Sequence, residues 1–137
     1  MQVFIIGSPL ETAKVLDKKR LNKQIIECRQ ILKAINGETK AWANHPCTIQ
    51  YRDNKEWLIA YTHCLEAFYT EDIHKARVWD CYAMDFKPNF HTQGYFDNMK
   101  RRLYTKNNEH YKQFVYLGES YENWYWINNN WKIYKQK

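Results

Sequence analysis

Leu21, Ile25, Cys28, Leu32 and Ile35 recur at steps of three and four residues, and Asn36-Gly37 follows directly. Apolar side chains at that spacing lie along one stripe of an α-helix, and an Asn-Gly pair is a helix stop. The pattern predicts a helix over residues 11–35 with one face that must be covered by other elements. Trp57, Leu58, Tyr61, Leu65 and Phe68 repeat the pattern and predict a second helix over 51–72. Phe96, Met99 and Leu103 predict a third over 93–105, with a short helical turn near 108–116. Val3–Ile6 is a short apolar run that reads as extended and ends at Gly7-Ser8-Pro9; residues 80–91 read as irregular around Lys87-Pro88-Asn89.

Only 4 glycines and 3 prolines occur in 137 residues, which disfavours a turn-rich sandwich or barrel. The hydrophobic fraction of 45% and the aromatic fraction of 17% exclude a disordered or low-complexity chain. The expected fold class is mainly α: one compact helical domain over 1–137, of three to four helices, with irregular N- and C-terminal segments. No run approaches the roughly eighteen apolar residues of a membrane span, and the opening MQVFIIGSPLETAK lacks the basic lead-in of a signal peptide. The four cysteines (Cys28, Cys47, Cys64, Cys81) are scattered without a C-x-x-C pair, which fits reduced thiols and a cytoplasmic location.

The net charge of +6 is unevenly placed. Residues 1–40 carry eight Lys/Arg against four Asp/Glu, residues 41–99 five against eight, and residues 100–137 eight against three. Two basic ends around an acidic middle fit a footprint for a polyanion, and equally a lysine-rich solvated surface.

On the helix over 11–35, successive residues turn by about 100°. With Asp17 at zero, the core stripe occupies roughly 0–80°, and Asp17, Arg20, Gln24 and Glu27 occupy roughly 280–360° beside it. Lys18, Lys19, Asn22, Arg29 and Lys33 make the ordinary solvent face. Charged groups at the edge of a core are partly desolvated and need partners. The row can therefore line a cleft, where carboxylates near arginine acquire useful pKa shifts, or form a salt-bridge ladder along a helix flank.

Residues 111–134 hold nine Tyr, Trp and Phe side chains interleaved with Lys112 and Lys132, and Lys135 follows. Aromatics stack on bases and lysines meet phosphates; the alternative is that the rings plug the core. About half are expected in the core, with Trp124 and Trp126 on opposite sides of an extended run. His45 lies in the connector Asn44-His45-Pro46, and His91 precedes the third helix; each fits a local hydrogen-bonding role or the border of a cleft. A zinc site would need His45, Cys47, His63, Cys64, Cys81 or His91 to converge, and their spacings match no standard site, so no metal and no cofactor is expected. A serine-nucleophile elbow and a phosphate-binding glycine loop are both absent.

The segment LDKKRLNKQIIECRQILKAINGETKAWANHP, with its D-x-x-R-x-x-K-Q-x-x-E run and later N-H-P, resembles the N-terminal half of pyrimidine-dimer DNA glycosylases, the bacteriophage endonuclease V family and its bacterial relatives. The later FHTQGYFDNMKRRLYTKNNEHYKQF and YENWYW resemble that family's distal half. The resemblance implies a metal-free DNA glycosylase that removes a damaged or modified base, a pyrimidine dimer first among candidates, and then breaks the strand by β-elimination. It implies an α-amino nucleophile that forms a Schiff base at the sugar C1′, assisted by a carboxylate on the first helix. An α-amine titrates near 8, about two units below a lysine, so a useful fraction of such a group is neutral at pH 7.

Carried onto this sequence, the amine belongs to Met1, with Lys23 as the alternative nucleophile, and the carboxylate is Glu27 or Asp17. Arg20 and Gln24 would contact substrate or phosphate, with His45 and His91 at the cleft. Arg101, Arg102 and Lys106 would hold the DNA backbone, and Trp124 and Trp126 would stack beside the lesion. The expected partner is lesion-bearing double-stranded DNA, met by a monomer with no membrane involvement. Two other readings stay open at this point: a non-catalytic module for distorted or single-stranded DNA, and a nucleotide-binding protein that uses the same cleft.

Overall fold

The computed structural model describes residues 1–135, and the chain divides into two compact units, Met1–Pro88 and Asn89–Lys137. Both are built mainly from helices, as the periodicity predicts, with a two-stranded antiparallel sheet at the C-terminal end. Among the described residues no helix is long and apolar enough to cross a membrane.

In the first unit the extended segment leads into α1 (Pro9–Val15) and α2 (Lys18–Ile35). Ser8 caps α1 through the Glu11 N–H, and Pro9 takes the first helical position, where its missing N–H costs nothing. The single helix expected over 11–35 is therefore two. Leu16 turns extended (ψ 136°), and the Asp17 carboxylate accepts the Arg20 N–H at 3.2 Å to start α2 afresh. Neither glycine nor proline marks this break, and the apolar periodicity begins only at Leu21, after it. α2 closes as its Asn-Gly pair predicts: Gly37 adopts φ 74°, its N–H reaches the Ala34 carbonyl, and the Glu38 N–H reaches back to Lys33. This is a Schellman stop.

The helix expected over 51–72 is α4 (Lys55–Tyr69), preceded by one 3₁₀ turn (Arg52–Asn54) and by α3 (Pro46–Tyr51), a short helix not expected from the sequence. Buried Trp57 stacks between Tyr51 and Tyr61, with centroids 5.4 and 4.8 Å away, and ties α3 to α4. α5 (Ile73–Met84) reaches into the start of the stretch read as irregular, taking residues 80–84. Asp72 caps it through the Lys75 N–H, and its buried positions are the alanines Ala76 and Ala83. Small residues at the contact let α5 lie close on α4 but leave no apolar stripe of large side chains to read.

The second unit contains α6 (Gln93–Lys106), capped by Thr92, then a 3₁₀ turn (Lys112–Leu117) and a hairpin of β1 (Glu122–Ile127) and β2 (Asn130–Lys135). The C-terminal segment is thus regular where an irregular one was expected. Asn128 and Asn129, both at positive φ (53° and 60°), make the two-residue turn that matches the right-handed twist of paired strands. Trp124 and Trp126 share one face, contrary to the expectation of opposite sides, because strand side chains alternate with period two. Both pack on Trp131, at 5.5 and 5.0 Å, while Asn123 and Tyr125 are buried on the other face.

Candidate active site

Residues 2–5 are buried, yet the segment belongs to no sheet. Its backbone groups need partners other than a neighbouring strand. Three helices supply them through side chains. Gln24 of α2 clamps the segment with both ends of its carboxamide: Nε2 donates to the Gln2 carbonyl at 2.9 Å, and Oε1 accepts the Phe4 N–H at 2.6 Å. The Tyr61 hydroxyl of α4 donates to the Phe4 carbonyl. The Ile6 N–H donates to the Thr12 hydroxyl of α1, which itself donates to the Ser8 carbonyl. A buried extended segment held at successive residues has little freedom, and the position of its first residue follows from the clamp.

Around that first residue lie groups from α2 and α3. The Cys47 thiol, at the start of α3, accepts the Val3 N–H, and the charges of the Met1 ammonium and of Glu27 both act on it. Burial pushes this thiol up to about 12 and holds Cys28 well above the ordinary thiol range, so neither supplies a thiolate at neutral pH. Glu27 is half-buried, with its side chain 17% exposed, and stands 3.9 Å from the Lys23 ammonium, whose side chain is 60% exposed. Arg20 lays its guanidinium 5.6 Å from the centre of the buried ring of Phe4, one of the two residues that the clamp holds. Arg20 and Gln24 thus both meet the N-terminal segment, the edge location that their helical spacing indicates.

His45 caps α3: its Nδ1 accepts the Cys47 N–H at 3.0 Å, which leaves the hydrogen of the neutral ring on Nε2. Burial, and then the charge of the Met1 ammonium, lower its pKa, so the neutral ring is favoured in the folded protein. Trp42 precedes it with φ 64° and meets its ring edge-on at 5.5 Å. The buried Gln2 carboxamide and the buried Thr48 hydroxyl have no hydrogen-bond partner among the described residues, so polar capacity remains unspent on the segment that carries the amine and on α3.

A family model described as pyrimidine dimer DNA glycosylase matches residues 1–71, more than half of the chain. The chain belongs to the pyrimidine dimer DNA glycosylase family. No curated protein and no solved structure gives a match. The matched stretch contains the clamped segment, Arg20, Lys23, Gln24, Glu27 and His45 and ends at Glu71. α5 and the second unit lie outside it.

Within this pyrimidine dimer DNA glycosylase family member, several residues read as contacts to DNA or substrate have structural work instead. Gln24 is 2% exposed and spends both polar atoms on the chain's own backbone, so it is a positioning residue. Arg102 is also 2% exposed; its Nε donates to Asn123 Oδ1 and its NH1 to the Ser120 carbonyl, both at 3.0 Å, which ties α6 to the hairpin. A guanidinium committed in this way cannot reach a phosphate. His91 is buried among Phe90, Tyr95 and Phe96, with its ring stacked on Tyr95 at 5.8 Å. Asp17 is the cap of α2, off the helical face assigned to it. Replacing it with alanine should cost about 1 kcal/mol of stability in urea denaturation. Base release per folded molecule should stay unchanged.

Arg101 and Trp124, separated by more than twenty residues, meet in one hollow of about 520 Å³ lined also by Asn98, Glu119, Tyr121 and Lys135. The Arg101 Nε donates to the Leu117 carbonyl at 2.9 Å, and the Trp124 indole N–H is buried without a partner among the described residues. Trp126 packs on Trp131, and Lys106 is exposed at the end of α6. Among the described residues no three His, Cys, Asp or Glu side chains converge to hold a metal. Tyr61 was read only as a core position of its helix and Thr12 was not singled out, because nothing in their spacing signals that an unpaired backbone will pass within reach of their hydroxyls.

Proposed function

We propose that the chain is a bifunctional DNA glycosylase and lyase for pyrimidine dimers in duplex DNA, with the Met1 α-amine as nucleophile and Glu27 as the assisting carboxylate. The observation that carries this reading is the two-ended Gln24 clamp, which holds residues 2–4, next to the amine, against the helix that also carries Glu27. The neutral amine attacks C1′ of the damaged nucleotide, the C1′–N bond breaks, and the electron pair leaves with the base. Loss of a proton from nitrogen and opening of the sugar ring give an iminium at C1′. A base then removes a C2′ proton, and the electron pair expels the 3′ phosphate to complete β-elimination.

Glu27 is suited to two parts of this sequence. Its charge stabilises the cationic sugar, and its oxygens accept and return protons within a partly dry site. Neutral His45 adds no second positive charge beside the amine and offers its Nε2–H as a donor. Lys23 is the rival nucleophile, but its side chain is largely exposed and its ammonium is paired with Glu27 at 3.9 Å. Arg20 and Lys23 supply positive charge for phosphates at the mouth of the site, and Arg101 with Trp124 supplies a separate contact in the second unit.

Borohydride trapping tests the reading. Incubated with duplex containing an abasic site or a thymine dimer, the protein should give a covalent adduct, and peptide mapping should place the modification on Met1. An adduct on Lys23 would reassign the nucleophile. Absence of any adduct, under conditions that trap a known lyase, would reject amine catalysis in favour of direct hydrolysis.

A further inference from the structure

Charge in the first unit is segregated onto one helix. α2 carries six Lys and Arg against the single acid Glu27, whereas the rest of Met1–Pro88 carries seven against ten Asp and Glu. α4 and α5 mix both signs: Lys55 with Glu56 and Glu66, and Lys75 and Arg77 with Asp80. The segregation opposes the helix itself. Lys18, Lys19 and Arg20 fill a first turn that has no acid, where the helix dipole disfavours cations, and Lys19 and Lys23 repel each other one turn apart. A solvated face needs polar residues, not one sign of charge, so neither stability nor solubility accounts for the arrangement.

At about 100° per residue, Lys19, Asn22, Lys23, Ile26, Gln30 and Lys33 share one stripe about 100° wide, and all six are exposed. Its two flanks differ. On one, Lys18 lies over the Tyr69 ring at 5.8 Å and Arg29 pairs with Glu66 at 3.2 Å, so those cations are engaged within the fold. On the other lie Arg20 and Glu27, the edge of the candidate active site, joined to the stripe by the 3.9 Å pair of Lys23 with Glu27. Lys19 and Lys33 have no ion-pair partner among the described residues. They stand about 21 Å apart along the axis, a length that follows about six phosphates of one strand.

We infer that this outer face of α2 is a track for the phosphates of one DNA strand, with Lys19 and Lys33 as its end contacts and Asn22 and Gln30 as neutral donors between them. Lysines and carboxamides without a carboxylate match a row of groups that each carry negative charge and accept hydrogen bonds. A strand lying there runs beside Arg20 and Glu27, so the track sets where the backbone passes the candidate site. The inference takes its partner from the glycosylase reading above, and extends that reading to residues that spacing alone assigns to solvent.

Fluorescence anisotropy of an undamaged duplex of about 20 base pairs, titrated between about 0.05 and 0.2 M sodium chloride, tests this without any catalytic step. The double variant Lys19→Gln, Lys33→Gln should melt no lower than the parent, because both side chains are exposed. Its affinity should fall by about tenfold or more at about 0.1 M salt, and its slope of log K against log salt should become shallower by about two, one for each lost phosphate contact. Lys14→Gln, Lys75→Gln removes the same charge from exposed positions on α1 and α5, and should leave the slope within about half a unit of the parent's. Gln30→Lys, in mid-track, should tighten binding several-fold and steepen the slope by about one.

Equal slopes in the two double variants would overturn the inference, because binding would then follow total charge alone. So would a parent-like slope in Lys19→Gln, Lys33→Gln or in Gln30→Lys. Failure of the parent to trap an abasic site, with these slope changes intact, would reject the amine mechanism and leave the track standing. Absence of salt-dependent duplex binding by the parent would reject the track.

Discussion

Glu27→Gln should lower single-turnover base release by about 10²- to 10⁴-fold while leaving affinity for dimer-containing duplex within a few-fold of the parent. Glutamine keeps the shape and the hydrogen-bonding reach of the side chain and removes only its charge and basicity. What it loses is the ability to offset a cationic sugar and to carry protons, and both act after binding. The fold should tolerate the change. The one ion pair lost is to Lys23, at 3.9 Å with a largely exposed ammonium, and exposed pairs of this kind contribute about 0–1 kcal/mol.

Lys23→Met is the matching control. It breaks the same pair and leaves the carboxylate in place, so its base release should remain near the parent's. Rapid-quench measurement of glycosyl-bond cleavage, alongside filter binding of the same duplex, separates chemistry from recognition. If Glu27→Gln turns over normally, the carboxylate is a flank charge and the proton must travel by another group. If Lys23→Met falls as far as Glu27→Gln, the pair acts as a unit and the lysine returns as a candidate nucleophile.

The contrast between Glu27 and Asp17 shows what the sequence made legible. Helical spacing put Asp17, Arg20, Gln24 and Glu27 on one row, and Arg20 and Gln24 do meet the N-terminal segment. The row was drawn on one continuous helix, however, and Asp17 is the cap at which a second helix begins. A break made by a capping side chain and one extended residue leaves no glycine or proline to read.

α6 fell within a residue of its expected span because Phe96, Met99 and Leu103 are large, apolar and buried. α5 escaped because its contact residues are alanines. The hairpin had a signal in its Asn-Asn pair, obscured by the density of aromatics on either side. Gln24 and Arg102 mark a deeper limit. A polar side chain at the edge of a core can face solvent, substrate or an unpaired backbone, and only the position of distant chain segments decides which. Gln24 faces residues 2–4, Arg102 faces residues 120–123, and no local pattern encodes either meeting.

Gln24→Leu should destabilise the protein and disable it at once, and the two effects can be pulled apart. Leucine fills a similar volume, so little cavity is created, but the Phe4 N–H and the Gln2 carbonyl lose their partner inside a buried segment. Each unsatisfied buried group costs about 1–3 kcal/mol, so the variant should lose about 2–6 kcal/mol in urea denaturation. That is a large part of the roughly 5–15 kcal/mol that holds a typical domain.

The first four residues then retain Tyr61 on the Phe4 carbonyl and the Val3 N–H against Cys47, but lose the hold on the Gln2 carbonyl, the one next to Met1. Borohydride trapping should therefore fall by at least about tenfold even after correction for the folded fraction, because a displacement of about 1 Å at a reacting atom can cost about 10²-fold. Gln24→Asn, one methylene shorter, cannot span both groups and should show a smaller loss of the same kind. If trapping per folded molecule stays at the parent's level while stability drops, the clamp serves the fold alone, and the amine must be positioned by contacts nearer to His45.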